Sequence, residues 1–163
     1  MKKIFVVVAD TVTGANGITV VQPLGRRVAQ VAHVVSKVRV EMLKHALTGI
    51  IKGLGSRVSS KVGILPAIIK MPKIMFQHIT AITLAMFEPY ATIILSCRDS
   101  KELIHVQQLL DRSLFHPDHE SFEDYDQPDY GDVNLHVMTA IATWPVEPDQ
   151  VLGITDYLPL LYK

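Results

Sequence analysis

Cysteine is almost absent from this sequence, since Cys97 is the only one among its 163 residues. A single cysteine cannot form a disulfide within the chain, and no Cys-x-x-Cys pair is present to hold a metal or a redox centre. This composition is typical of a protein in a reducing compartment, so we expect it in the cytoplasm. A chain of this length buries a core without covalent cross-links.

Long uninterrupted apolar runs are also lacking. The first residues, MKKIFVVVAD, combine two lysines with a short apolar run, but Asp10 follows too early for a secretory signal peptide. Residues 64–87 are rich in isoleucine and methionine, yet Pro66 and Pro72 interrupt them, so we expect no membrane-spanning helix and no association with a membrane. Methionine suits irregular packing surfaces, and we interpret these residues as core or subunit-interface helices of a homo-oligomer, most simply a dimer.

Acidic residues are scarce in the first half of the chain. Residues 1–80 contain twelve lysines and arginines but only Asp10 and Glu41 as acids, a net charge of +10. Residues 81–163 contain the other four basic residues and fourteen acids, so the formal net charge of the whole chain is zero. A neutral total is compatible with a basic surface for nucleic acid or another anionic ligand. It is equally compatible with two halves whose charges interleave in the folded protein.

Two cofactor patterns are incomplete. The glycines in GIIKGLGS, residues 49–56, lack the Gly-Lys-Ser/Thr ending of a phosphate-binding loop. His116, His119 and Glu120 are residue types that bind metals, but a solvated acidic loop explains them as well, and no second group of ligands at diagnostic spacing accompanies them. We therefore expect neither a metal nor an organic cofactor.

Apolar β-branched runs mark the predicted strands. Residues 4–8 and 91–96 are continuous runs typical of strands covered on both faces, residues 135–143 are a further strand, and shorter extended pieces are predicted at 18–21 and 122–125. Asp99, three residues before Glu102, indicates the capped start of a helix that continues to about residue 114. Pro148 opens a short terminal helix. Strand followed by helix twice over favours a βαβ-type sheet.

The first predicted helix has two distinct faces. On residues 25–38, helical spacing aligns Arg26, Gln30, His33 and Lys37 in one polar row. The same spacing aligns an apolar stripe, which consists of Val28, Val31, Ala32, Val35, Val38 and Met42. Such a helix is either part of an active site or an ordinary amphipathic surface helix, and periodicity does not choose between them.

Three segments carry a resemblance to a known family. They are VVVAD with RRVAQVAHV, IILSCRDSKELIHVQQLL, and TAIATWPVEPDQVLGITDYLPLLY. In this order they resemble the type II peptidyl-tRNA hydrolase family, whose first strand ends in aspartate and whose next helix opens with a Lys-x-Ala-Ala-Gln-x-x-His-Ala-like sequence. The resemblance implies an α/β fold: a single three-layer domain over residues 1–163, with a small mixed, mostly parallel sheet flanked by helices and an enlarged helical middle segment at about 41–88.

The resemblance also implies site residues. It matches the family's strand-end aspartate to Asp10, its glutamine to Gln30 and its lysine to Arg26, where arginine keeps a cation but presents a planar fork. The family's second aspartate precedes its last strand within a sequence that this chain lacks, so Asp124 and Asp126 both remain candidates. The predicted catalytic residues are Asp10, Arg26, Gln30 and Asp126, and the predicted substrate-binding residues are Arg27, His33 and Lys37.

The activity implied by the resemblance is hydrolysis of the ester that joins a peptide to tRNA. Phosphate contacts, a polarising group at the ester carbonyl and a water activated by a carboxylate would be needed. The alternative is a non-catalytic or differently active binding or regulatory module of the same fold, whose partner is RNA, another anionic ligand or a protein.

Overall fold

A computed structural model of the chain describes residues 1–13, 17–58, 90–124 and 136–161, and it describes no side chain for residues 53–58. The chain divides into two compact units, Met1–Val38 with Tyr90–Lys163, and Arg39–Pro89. The second unit corresponds in position to the predicted middle segment, and the single domain over residues 1–163 stays a prediction. The helices predicted within residues 64–87 and the candidate Asp126 lie outside the described residues. In the described part of the chain, no helix is both long and apolar enough to cross a membrane.

Five strands form one sheet. They are β1 (Lys3–Thr13), β2 (Thr19–Val21), β3 (Ala91–Asp99), β4 (His119–Asp124) and β5 (Val137–Thr143). The strand order is β2-β1-β5-β4, and β3 pairs with β1. Each of the five predicted extended segments therefore overlaps an observed strand.

The sheet is mostly antiparallel, so the predicted mostly parallel sheet flanked by helices is wrong. Among the described strands only β1 and β3 run parallel, whereas the pairs β1–β2, β1–β5 and β4–β5 are antiparallel. Only five residues separate β1 from β2, which is too short a connection for a parallel crossover. The succession of strand and helix was the misleading signal, because it fits the parallel pair β1–β3 but gives no direction for the other strands, and β5 lies antiparallel between β1 and β4.

Two α-helices accompany the sheet in the described residues, α1 (Leu24–Val58) and α2 (Ser100–Arg112). The predicted cap of α2 is confirmed, because the Asp99 carboxylate accepts a hydrogen bond from the Glu102 N–H at 2.9 Å. The Glu102 carboxylate in turn accepts from the Arg98 N–H at 2.6 Å. Helix α2 buries Leu103, Val106 and Leu110 at helical spacing in the main core.

The core explains why β1 is apolar throughout. Alternate residues of the strand, Phe5, Val7 and Ala9, share the core cluster with the buried residues of α2. The intervening residues Ile4, Val6 and Val8 project from the opposite face and are also buried. By the same alternation Asp10 lies on the face of Val8, three residues before the strand ends.

After β5 the chain forms a short 3-10 helix, Pro148–Val151, at the predicted Pro148. It then returns to β3, where the Ser96 N–H donates to the Pro159 carbonyl at 2.8 Å and the Leu161 N–H donates to the Ile94 carbonyl at 3.0 Å. Leu158 is buried here, whereas Leu160 is mostly exposed.

Helix α1 buries only part of the predicted apolar stripe. Among its described side chains, the fully buried ones are Gln30, Val34 and Val38, each four residues from the next, and of these only Val38 belongs to the predicted stripe. Val28, predicted to face the core, is 44% exposed. The buried face therefore includes a member of the predicted polar row, and that row borders the core instead of opposing it.

Candidate functional site

Three side chains of the polar row on α1 contact strand β4. The Gln30 amide nitrogen lies 3.4 Å from the Asp124 carboxylate. One turn further along, the His33 ring stacks on the Phe122 ring. The Lys37 ammonium lies 3.5 Å from the Glu120 carboxylate and donates to the Ser121 carbonyl at 3.0 Å.

The register of these contacts follows from the two backbone periods. Residues 120, 122 and 124 alternate in β4 and so share one face of the strand. Residues 30, 33 and 37 share one face of the helix. Because residue number rises along α1 while it falls along β4, the helix runs antiparallel to the strand, and each polar group on α1 meets one residue of β4.

Gln30 is the centre of a buried amide network. The Gln22 amide nitrogen donates to the Ala9 carbonyl at 2.9 Å, which leaves its oxygen to accept from the Gln30 nitrogen at 2.6 Å. The same nitrogen of Gln30 faces the Asp124 carboxylate, an acceptor. Gln30 is 2% exposed, and its Oε1 has no donor among the residues that the structure describes.

Asp10 and Arg27 form an ion pair beside this network. The Arg27 guanidinium donates to the Asp10 carboxylate, and the Asp10 carbonyl accepts from the Gln22 N–H at 2.8 Å. Within the described part of the chain, the buried Nε of Arg27 has no acceptor. The Asp10 carboxylate is therefore paired with a neighbouring cation, while the Nε–H of Arg27 can still donate a hydrogen bond to an anionic group.

The start of α1 has the electrostatics of an anion site. Arg26 and Arg27 lie in its first turn, where both backbone N–H groups bond the Pro23 carbonyl, and this turn holds no acidic residue. Arg26 is half-buried. Because Arg27 is paired with Asp10, Arg26 and the positive end of the helix dipole are what favour a phosphate, a carboxylate or a developing oxyanion here.

A second group of charges lies at the end of β3. Parallel pairing places Asp99 opposite Thr11, one residue beyond Asp10. The Glu102 N–H and the Arg98 cation hold the pKa of Asp99 below its usual range. Burial, assisted by the carboxylates of Glu102, Asp10 and Asp99, raises the pKa of the Cys97 thiol. A raised pKa disfavours the thiolate, which is the nucleophilic form of cysteine.

His116 and His119 line a separate cavity of about 410 Å³, together with Leu110, Asp111, Pro117 and Asp118. The His116 Nδ1 bonds the Asp111 carbonyl at 2.9 Å, and the His119 Nδ1 bonds the Pro117 carbonyl at 3.1 Å. Across the described ranges, no three histidine, cysteine or acidic side chains lie close enough together to bind a metal ion. Glu120 points instead toward Lys37.

The predicted site residues thus form two neighbouring groups. Arg26, Arg27, Asp10 and Gln30 lie at the start of α1 and near the end of β1, and His33 and Lys37 continue the row along β4. Sequence reasoning did not identify Gln22 or Phe122 as parts of the site. The sequence around Gln22 gives no sign of its burial, which depends on the turn between β2 and α1. Phe122 could have been found from the sequence, because alternation along β4 places it on the same face as Glu120 and Asp124.

Comparisons with known proteins add no identity. No family model matched this chain, and no curated protein matched it.

Proposed function

We propose that this protein is a divergent hydrolase, similar in activity to the type II peptidyl-tRNA hydrolases, that cleaves the ester between a peptide and tRNA. The observation that carries the proposal is the buried Gln30, which has an unused acceptor oxygen and lies 3.4 Å from the Asp124 carboxylate. A buried acceptor without a donor costs stability. The presence of such an acceptor next to a carboxylate supports a role for Gln30 in binding a hydroxyl, an amine or a water.

The residues would divide the chemistry as follows. Asp124 accepts a proton from water as the water oxygen attacks the ester carbonyl carbon. Gln30 Oε1 accepts a hydrogen bond from this water or from the substrate and orients it. Arg26, with the positive end of α1, stabilises the oxyanion of the tetrahedral intermediate. The ester C–O bond then breaks, and the proton passes from Asp124 to the departing ribose oxygen, which yields tRNA and a peptide carboxylic acid that ionises by releasing its proton to solvent.

The other predicted residues have supporting roles in this proposal. Asp10 is paired with Arg27, so it positions that arginine and is not the base. The free Nε of Arg27 would bind a phosphate of the substrate. A cytoplasmic location, a dimer and a tRNA partner belong to the same proposal.

The test is release of peptide from a blocked aminoacyl-tRNA by the purified protein. We expect Asp124→Asn to lower kcat/KM by about 10²-fold or more, since it removes the proton acceptor. Glu123→Gln is the matched control, because Glu123 is the adjacent acid on β4 and alternation turns its side chain to the other face. Turnover by the wild type equal to that of buffer would reject the hydrolase.

One observation favours the second candidate, a binding module without catalysis. Asp10 is neutralised by Arg27, and Lys37 lies next to Glu120, so charged groups of the site already pair with one another. Such a module would bind RNA with an affinity that falls as salt rises, and it would release no product.

A further inference from the structure

His33 is exposed although one face of its ring is partly covered. The imidazole lies parallel to the Phe122 ring, with the ring centroids 5.1 Å apart and the two planes inclined by 6°. With nearly parallel planes and centroids this far apart the two rings are offset, so Phe122 covers one face of the imidazole only in part, and His33 as a whole remains exposed. The structure therefore holds a flat ring at the surface against a second ring.

Support from Phe122 fixes the orientation of this ring before any ligand arrives. An aromatic ring that is already held loses little side-chain entropy when another planar group stacks on it. Stacking of this kind is the usual way in which proteins hold unpaired bases, because every base offers a flat face.

The surroundings of the stack suit a nucleotide. Gln30 lies three residues earlier on α1, about 4.5 Å along the helix axis, and Lys37 lies one turn later. Lys37 is 46% exposed and holds three N–H donors; its ammonium bonds the Ser121 carbonyl and lies 3.5 Å from the Glu120 carboxylate. A base on His33 would leave its phosphate within reach of the Lys37 ammonium.

We propose that the His33–Phe122 stack is a platform for the unpaired base at the end of an RNA strand. The inference rests on the proposed function and deepens it, because it names the part of the substrate that the site binds. The alternative is that the stack only fastens α1 to β4. A fastening contact would affect unfolding but would not distinguish a strand with bases from one without them.

The experiment compares two fluorescent probes of equal charge, hexa-adenylate RNA and an abasic strand of the same length. We expect the wild type to bind the strand with bases about 10-fold more tightly. His33→Ala should bind both strands equally, while keeping the salt dependence of the abasic strand. His33→Phe, which keeps a flat ring, should keep the preference for bases. His105→Ala, which removes an exposed histidine from α2, is the matched control and should behave as the wild type.

Several outcomes would overturn the platform. They are equal binding of both strands by the wild type, a preserved preference in His33→Ala, and loss of the preference in a folded His33→Phe. Adenosine monophosphate that binds as tightly as the strand would identify a free nucleotide as the ligand and would also reject the proposal. A base preference without ester cleavage would reject the hydrolase alone, whereas cleavage without a base preference would reject the platform alone.

Discussion

Gln30 is a buried residue whose hydrogen bonding is incomplete within the described part of the chain. Its nitrogen serves both Gln22 and Asp124, while its oxygen lies buried without a donor in the described part of the chain. Gln22 in turn is satisfied at both ends, by Ala9 and by Gln30. The two amides therefore act as a unit, and removal of one leaves the other incomplete.

We expect the single substitutions Gln22→Leu and Gln30→Leu each to destabilise the fold by about 1–3 kcal/mol, because each leaves a buried polar group unpaired. The double substitution should cost clearly less than the sum of the two, since it removes both amides together. Urea unfolding of the four proteins measures the coupling. Additive costs would show that the amides do not depend on each other.

Cys97 leads to a prediction on how the stability of the fold changes at alkaline pH. Burial raises the pKa of its thiol above the ordinary value of 9.0, so the unfolded chain loses this proton at a lower pH than the folded protein does. Stability from this group is complete below about pH 9 and declines as pH rises above it. The difference in unfolding free energy between the wild type and Cys97→Ala should therefore shrink between pH 8 and pH 10.5. A difference that stays constant over this range would contradict the assignment.

At the level of secondary structure, the clearest dependence on a single residue is the Asp99 cap at the start of α2. Asp99→Ala should destabilise the protein by about 1 kcal/mol at neutral pH, because it removes the acceptor of the Glu102 N–H. The pKa of Asp99 is lowered in the folded state, so this stability is present above the unfolded pKa and is lost as pH falls through the folded one. The difference in unfolding free energy between the wild type and Asp99→Ala should therefore be smaller at pH 2.5 than at pH 7. Asp99→Ser, a cap that does not titrate, should keep the same advantage over Asp99→Ala at both pH values; a wild-type advantage over Asp99→Ala that is equal at pH 7 and pH 2.5 would refute this account.

The elements themselves were largely predictable from the sequence, but the directions of the strands were not. The apolar run of residues 4–8 indicates burial on both faces, which a central strand has whether its neighbours are antiparallel or parallel. Direction depends on which strand becomes the neighbour. Which strands become neighbours depends on contacts between residues far apart in sequence, so the local sequence pattern does not predict strand direction.

The candidate site was predictable on the helix and much less so on the strand. Helical spacing aligned Gln30, His33 and Lys37 correctly, but it did not show which side of the row would be buried. In the run SFEDYD the sequence left Asp124 and Asp126 equivalent, because alternation fixes a shared face without fixing where the strand ends. The contact with Gln30 identifies Asp124 as the residue beside the amide.

For the molecule as a whole, the uneven distribution of charge leads to a prediction on binding. We expect the affinity for a short RNA to fall steeply between 50 and 200 mM salt, because bound phosphates release counterions from the strand. Arg26→Ala should weaken binding and reduce the slope of log K against log salt by about one. Arg112→Ala, at the exposed end of α2, should change neither. Binding that is insensitive to salt would exclude a phosphate-contacting surface.

The return of residues 159–161 to β3 has a consequence for the behaviour of the protein in concentrated solution. A strand with one unpaired side can add a strand from another molecule and so start aggregation. The backbone bonds at Ser96 and Leu161 occupy the middle of that side of β3, at residues 94–96, with the protein's own chain. A second copy would have to displace this segment before it could pair along β3.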